Sequence, residues 1–262
     1  MFKLKPLLCS ASLLLAFTAT AHTPYLAPAS FEPLGGWVTL DAAFAEKFFV
    51  PEVAFDQSEF KVLQPDGKAV TPKELFSGKT RTAVAHQLEQ DGTYKFSTGQ
   101  RFGAVFRSWQ QDGKTHNSRD PKEQIPAGAK LTAHFQSVTL AETYVSKGAP
   151  SQTALKPSNK GLELVFQSHP NDLYIQSPIK ATVLYNGKAL AEQKVQVYPA
   201  NSAEAETKAS KELTTDKQGQ LTFELDKAGT YLLLTRFRTD APAGAKAPTY
   251  SYSYSAVVEV TE

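Results

Sequence analysis

Beyond residue 21 the chain contains no sulfur, because its one cysteine and one methionine are Cys9 and Met1. Disulfides are excluded there, and thiolate or thioether ligands with them. A metal site would have to be built from imidazole, carboxylate, amide or a terminal amine. Those donors disfavour Cu(I) and suit Ni(II), Co(II), Zn(II) or Cu(II). An excess of one charge is lacking as well. Removing Lys3 and Lys5 from the 28 basic residues leaves 26, equal to the 26 acidic ones. A chain with neither net charge nor a basic block carries no electrostatic footprint for nucleic acid. No stretch beyond residue 21 has the 3.6-residue apolar period of an amphipathic helix. Gly-x-Ser-x-Gly, His-Glu-x-x-His and nucleotide-loop signatures are all missing, so the chain does not read as an enzyme.

The first 21 residues have their own logic. Met1-Phe-Lys-Leu-Lys5 is a short basic region, Pro6 to Thr18 is mostly apolar, and Ala19-Thr20-Ala21 fits a signal-peptidase site. The apolar run is too short to span a bilayer. Leu8 stands before Cys9 where a lipoprotein needs a small residue. The expectation is a signal peptide over 1–21, cleaved after Ala21, and a periplasmic mature protein that does not insert into the membrane. Cleavage makes His22 the first residue, offering its α-amine and ring Nδ1 to one metal ion. The amine's reference pKa of about 7.7–8.0 makes its deprotonation a modest cost near neutrality. Pro24 holds the third position and has no N–H, which rules out the square-planar tripeptide chelate.

The rest of the chain reads as short strands divided by turns. Trp37 to Phe44, Phe102 to Trp109, Leu131 to Val138 continuing to Val145, Gly229 to Phe237 and Thr249 to Val260 carry the period-2 signal. Pro65-Asp66-Gly67-Lys68 closes a hairpin after Phe60 to Leu63. Thr80 to Leu88 is expected to pair with Gly92 to Ser97. Asn186-Gly187 is expected to join Ile179–Leu184 to Lys194–Tyr198 as a hairpin. Leu213 to Leu225 reads as strand, turn and strand. Tyr250, Tyr252 and Tyr254 share a face with Ala256, Val258 and Val260, so the tyrosine row reads as core. His86 shares an apolar face with Val84 and Leu88 and reads as a core residue; His116 falls in a solvated loop. His134 faces away from Leu131, Ala133 and Phe135, beside Thr132 and Gln136, which makes it a candidate ligand. Glu142 on the continuing strand is another. The fold class is all-β: two tandem β-sandwiches of immunoglobulin-like or prealbumin-like type, over 22–155 and 156–262.

The stretch Gly161 to Tyr174 opens the second half. Leu162, Leu164 and Phe166 alternate as a half-buried strand, and His169 precedes Pro170, which excludes helix at the histidine. Asn171-Asp172 then turns the chain. His169 is thereby set at a rigid turn close to the junction.

Ala21-His22, Trp37 to Ala43, Glu142-Thr-Tyr-Val145, Ala154 to Val165 and His169-Pro-Asn-Asp-Leu-Tyr174 together carry a resemblance. Asn186 to Leu190 and Thr215 to Phe223 extend it. The chain resembles the bacterial exported proteins classed as domain of unknown function 4198, often labelled periplasmic component of a cobalt or nickel transport system. Members commonly begin with a histidine followed closely by Trp-Leu, where this chain has Tyr25-Leu26. The resemblance implies a metal-binding accessory protein for nickel or cobalt uptake, partnered by a membrane metal transporter. It points to His22, Glu142 and His169 as ligands, because they lie in the matching blocks. His134 rests on its strand face alone. Copper or zinc would suit the same donors. Two other readings stand beside this one: a copper-holding histidine brace, and a non-catalytic binding or scaffold module.

Exported from a bacterial host, the protein is expected to begin at His22 by intact-mass spectrometry and to give no thiol signal with Ellman's reagent.

Overall fold

The computed structural model describes residues 22–200 and 209–262. The expected signal peptide and most of the polar loop at 201–210 lie outside the described residues. Among them the chain is all-β, with one 3-10 turn at Thr153–Leu155.

The strands run in chain order as β1 (Thr23–Pro28), β2 (Trp37–Ala45), β3 (Val53–Ala54), β4 (Lys61–Leu63), β5 (Ala69–Val70) and β6 (Glu74–Ser77). Next come β7 (Thr82–Gln87), β8 (Gly92–Ser97), β9 (Arg101–Gln111), β10 (Lys114–Ser118), β11 (Lys130–Lys147), β12 (Leu162–Phe166) and β13 (Ile179–Tyr185). The chain closes with β14 (Lys188–Ala189), β15 (Lys194–Pro199), β16 (Lys211–Thr214), β17 (Gln220–Phe223), β18 (Gly229–Asp240) and β19 (Thr249–Val260).

A ten-stranded sheet runs through the middle in the order β16-β15-β18-β19-β11-β8-β4-β5, with β9 and β10 joined to β11. It crosses the boundary at residues 155/156. The crossing is the parallel pair β11–β19, in register from Phe135 with Thr249 to Thr143 with Val257. A five-stranded sheet of β1, β2, β3, β6 and β7 packs on one face, and a four-stranded sheet of β12, β13, β14 and β17 on the other. Because both faces are covered, β8 is buried from Gly92 through Phe96.

Each core follows from strand alternation. Tyr94, Phe96, Ala141 and Val145 meet Val38, Leu40, Val84 and Leu88 on the five-stranded side. Tyr144, Tyr254, Ala256 and Val258 meet Leu162, Leu164, Phe166 and Val183 on the other. Beside the first core, Tyr25, Ala43 and Phe48 pack on Leu232, Leu234 and Val257, so β1 lies across the C-terminal strands. The Ser255 hydroxyl donates to the Pro24 carbonyl at 2.7 Å in that contact.

Several local readings hold. The Pro65–Lys68 hairpin pairs Val62 with Val70, and its Gly67 takes φ 86°. Tyr252 and Tyr254 are buried, and so is His86. Two pairings differ. Thr82–Gln87 and Gly92–Ser97 do not form a hairpin: β7 pairs with β2 and β6, while β8 pairs with β11 and β4. The Asn186-Gly187 turn closes on the two-residue β14 only, and β15 joins β18 in the central sheet. The strand, turn and strand read over 213–225 are present as β16 and β17, which pair with β15 and β13 in different sheets. Between β7 and β8, between β14 and β15, and between β16 and β17 the chain changes sheet, because neighbouring strands each carry an apolar face that must meet the other across a core.

Both tryptophans, Trp37 and Trp109, precede residue 156. Leu164→Ala in the opposite half should cost about 2–5 kcal/mol. Through the shared sheet, the tryptophan-fluorescence midpoint in urea should fall together with the far-UV circular dichroism midpoint.

Candidate functional site

The four residues singled out as ligands sit in four different places. His22 precedes β1 at an exposed edge, where its Nε2 lies 2.8 Å from Glu52 Oε2. Glu52 is itself held, since its Oε1 accepts the Glu46 amide N–H at 2.8 Å. The pairing of Thr23 with Ala45 and of Phe44 with Val53 places all three residues side by side. An Nε2–H donated to the carboxylate leaves Nδ1 as the lone-pair nitrogen, the tautomer that a chelate with the α-amine requires. Among the described residues, His22 Nδ1 has no hydrogen-bond partner.

His169 is buried at the junction with both ring nitrogens occupied. Nε2 lies 3.1 Å from the Ser151 carbonyl and 3.0 Å from Thr93 Oγ1, while Nδ1 accepts the Asn171 amide N–H at 3.1 Å. A carbonyl can only accept, so the proton sits on Nε2. The turn read from His-Pro-Asn-Asp is real: the Asp172 amide donates to the His169 carbonyl at 2.9 Å. Asn171 extends the network to the Tyr144 carbonyl and to Ser146 Oγ, both 2.9 Å away. This ring ties 93, 146 and 151 to 169 and 171.

The expected meeting of His22 with His169 does not occur. The Ser146 amide bonds to the Phe31 carbonyl, beyond the far end of β1 from His22. Six extended residues separate those ends by about 20 Å. His134 and Glu142 lie on the single strand β11, eight residues and about 26 Å apart. His134 stands opposite Arg107, a cation that disfavours a second one nearby. Among the described residues no three His, Cys, Asp or Glu side chains gather as a metal-holding group.

Glu142 has a different setting. It lines a cleft of about 590 Å³ at the junction, between β4, β8, β11 and the 158–160 linker. Tyr254 OH donates to Glu142 Oε2 at 2.9 Å, and Lys95 Nζ lies 3.9 Å from Oε1. Burial, reinforced by the carboxylate, pushes the Tyr254 phenol well above its usual range, so it stays a donor. The linker wall is held by buried Glu163, which accepts from the amides of Ser158 and Asn159 at 2.8 Å each.

Sequence reasoning missed Lys95, Tyr254 and Glu52. A charge inside a strand ordinarily marks a solvated face, and nothing local to Thr93-Tyr-Lys-Phe96 says that β8 is covered on both sides.

A model of the family described as "Domain of unknown function (DUF4198)" matches residues 19–239. The chain belongs to this family. No curated protein matches it. Among solved structures, it is similar to the D0-D1 domain of intimin at 13% identity and TM-score 0.24, covering 90% of this chain and 97% of that one. Domains A168-A170 of titin match at 9% identity and TM-score 0.22, covering 92% and 100%. A marsupial T cell receptor gives 9% and 0.22, covering 92% and 72%.

His86 and His169 share one electrostatic property. Burial lowers both pKa values, against smaller opposing effects of Glu89 on His86 and of the Ser151 carbonyl and Asp172 on His169. Each is neutral when folded, and its pKa lies below the roughly 6.5 of an unfolded histidine. The unfolded chain therefore binds more protons below that value, and stability falls as pH drops through it. The urea midpoint should be lower at pH 5.0 than at pH 7.5. The drop should shrink in His169→Gln, whose amide does not titrate.

Proposed function

We propose that this DUF4198 protein is an exported, periplasmic metal-binding accessory protein, a carrier for nickel or cobalt serving a membrane transporter, with its ion held at the N-terminal edge. In this reading the leader ends at Ala21, and 22–155 and 156–262 are two sandwich units sharing the central sheet. The observation that carries it is the His22–Glu52 pair, 2.8 Å apart on an exposed edge. The α-amine and Nδ1 of His22 would hold the ion, and Glu52 would orient the ring from its other nitrogen. A carboxylate in that position fixes the tautomer and raises ligand basicity. Bound there, a divalent ion would keep open coordination positions, which suits a carrier that releases its cargo. The donor set is nitrogen with a supporting carboxylate, in keeping with Ni(II), Co(II) or Cu(II).

His169, Glu142 and His134 leave the ligand set in this version. The first serves the junction, the second the cleft, and the third stands opposite the Arg107 cation.

The test is calorimetric titration of Ni(II) and Co(II) into protein exported and cleaved in vivo. One residue added before His22 should abolish binding. Glu52→Gln should weaken it about 10–100-fold, and His169→Ala should leave it unchanged. Absence of binding to either ion, with the His22 terminus verified by mass, would end the metal reading.

A further inference from the structure

The edge that presents His22 also presents a cation. Arg236 of β18 reaches across to the first residue of β1, where its Nη2 donates to Thr23 Oγ1 at 3.0 Å. Consecutive Cα atoms lie about 3.8 Å apart, which puts the guanidinium within about 9 Å of the His22 Cα and its α-amine. The other neighbour of Arg236 is the Tyr198 phenol, which burial keeps protonated and neutral. The arginine ion pairs of the chain are Arg81 with Asp41 and Arg101 with Asp56; among the described residues Arg236 has none. Burial pulls its pKa below the usual arginine range, against a smaller opposing effect of Tyr198, and the group stays charged near neutrality. Water can complete its hydrogen bonds but does not cancel its charge.

That charge bears on the cargo. A bare divalent ion on the α-amine and Nδ1 of His22 is repelled by Arg236, and the single carboxylate of Glu52 only offsets the arginine. His22 supplies just those nitrogens, and among the described residues no group of His, Asp and Glu completes a ligand set. The ion therefore keeps positions that a second ligand must fill. An amine chelator fills them and leaves the repulsion in place. A halide brings charge but has no pair of oxygens for the guanidinium fork. A carboxylate can ligate through oxygen or accept bidentate from arginine, so a molecule with several carboxylates meets both needs at once.

The surface beyond Arg236 suits the rest of such a molecule. On β19, Ser253 lies opposite Arg236 and Ser251 opposite Arg238, and both serines are half-buried. Arg238 is exposed, and its guanidinium lies on the Phe135 ring at 4.2 Å, which orients a second planar fork on the same side of the sheet.

We propose that the cargo of this edge is a metal chelate, a divalent ion carried together with a small polycarboxylate. His22 binds the ion, and Arg236 binds a carboxylate of the chelator. The assignment rests on the His22 reading of the ion site and specifies the form in which the ion arrives.

The experiment uses protein exported and cleaved in vivo. Retention of radiolabelled citrate and malate on ultrafiltration is measured with and without Ni(II), beside calorimetry of Ni(II) alone. A label should be retained in the presence of Ni(II) and lost without it. Arg236→Gln should weaken that retention roughly tenfold or more, while Ni(II) alone binds at least as tightly, because a repelling charge has gone. Arg236→Lys should recover part of the retention. Ni(II) loaded with ethylenediamine, an uncharged chelator, should respond to Arg236→Gln as the bare ion does. Ni(II) binding with both labels washing through overturns the proposal and leaves the His22 carrier standing. Retention that falls in Arg236→Gln no further than Ni(II) binding itself overturns it too, since a structural loss would do the same. Label retained without Ni(II) marks a plain anion site and overturns the chelate; absence of Ni(II) binding in every form ends both readings.

Discussion

The parallel ladder between β11 and β19 is the interaction on which the architecture depends. It brings Phe135–Thr143 against Thr249–Val257, segments more than a hundred residues apart, inside one sheet. Thr143 Oγ1 reinforces it by donating to the Val257 carbonyl at 2.8 Å. Neighbouring strands on either side are antiparallel, so this single parallel seam is where two meandering halves become one sheet. Closing it orders a long loop, and the cores on both faces of the seam supply the compensating burial.

The seam also explains where polar groups gather. Residues of the two halves converge where the linker passes over β8 and β11, and backbone groups there lack a regular ladder. His169, Asn171, Ser151, Thr93 and Ser146 satisfy one another at one end. Glu163, Ser158 and Asn159 do so beside the cleft. These are chain-joining contacts within the Ala154–Tyr174 block and its neighbours. The Lys95–Glu142 pair differs from them, because its two members leave a gap between charged atoms.

The N-terminal edge is a third kind of place. His22 and Glu52 are exposed and at the end of an outer strand, where a side chain meets few packing constraints. Their proximity follows from the β1–β2 register and the turn into β3, which sets the carboxylate opposite the strand's first residue.

From the sequence alone came the all-β class, most strand positions, the Pro-Asp-Gly hairpin, the buried tyrosines and the core placement of His86. These depend on period-2 alternation and turn chemistry, which are local. The proposal of His22 as a ligand rests on the same kind of local signal, a cleavage pattern and the chemistry of one residue. The tertiary structure alone decided which strands pair: β7 with β2 instead of β8, and β11 with β19 across the chain. It also decided that His169 faces backbone partners, that Lys95 is buried beside Glu142, and that His22 meets Glu52. A strand's sequence specifies which of its faces is apolar. It does not specify whether one face or both will be covered, because that depends on segments brought in from a hundred residues away.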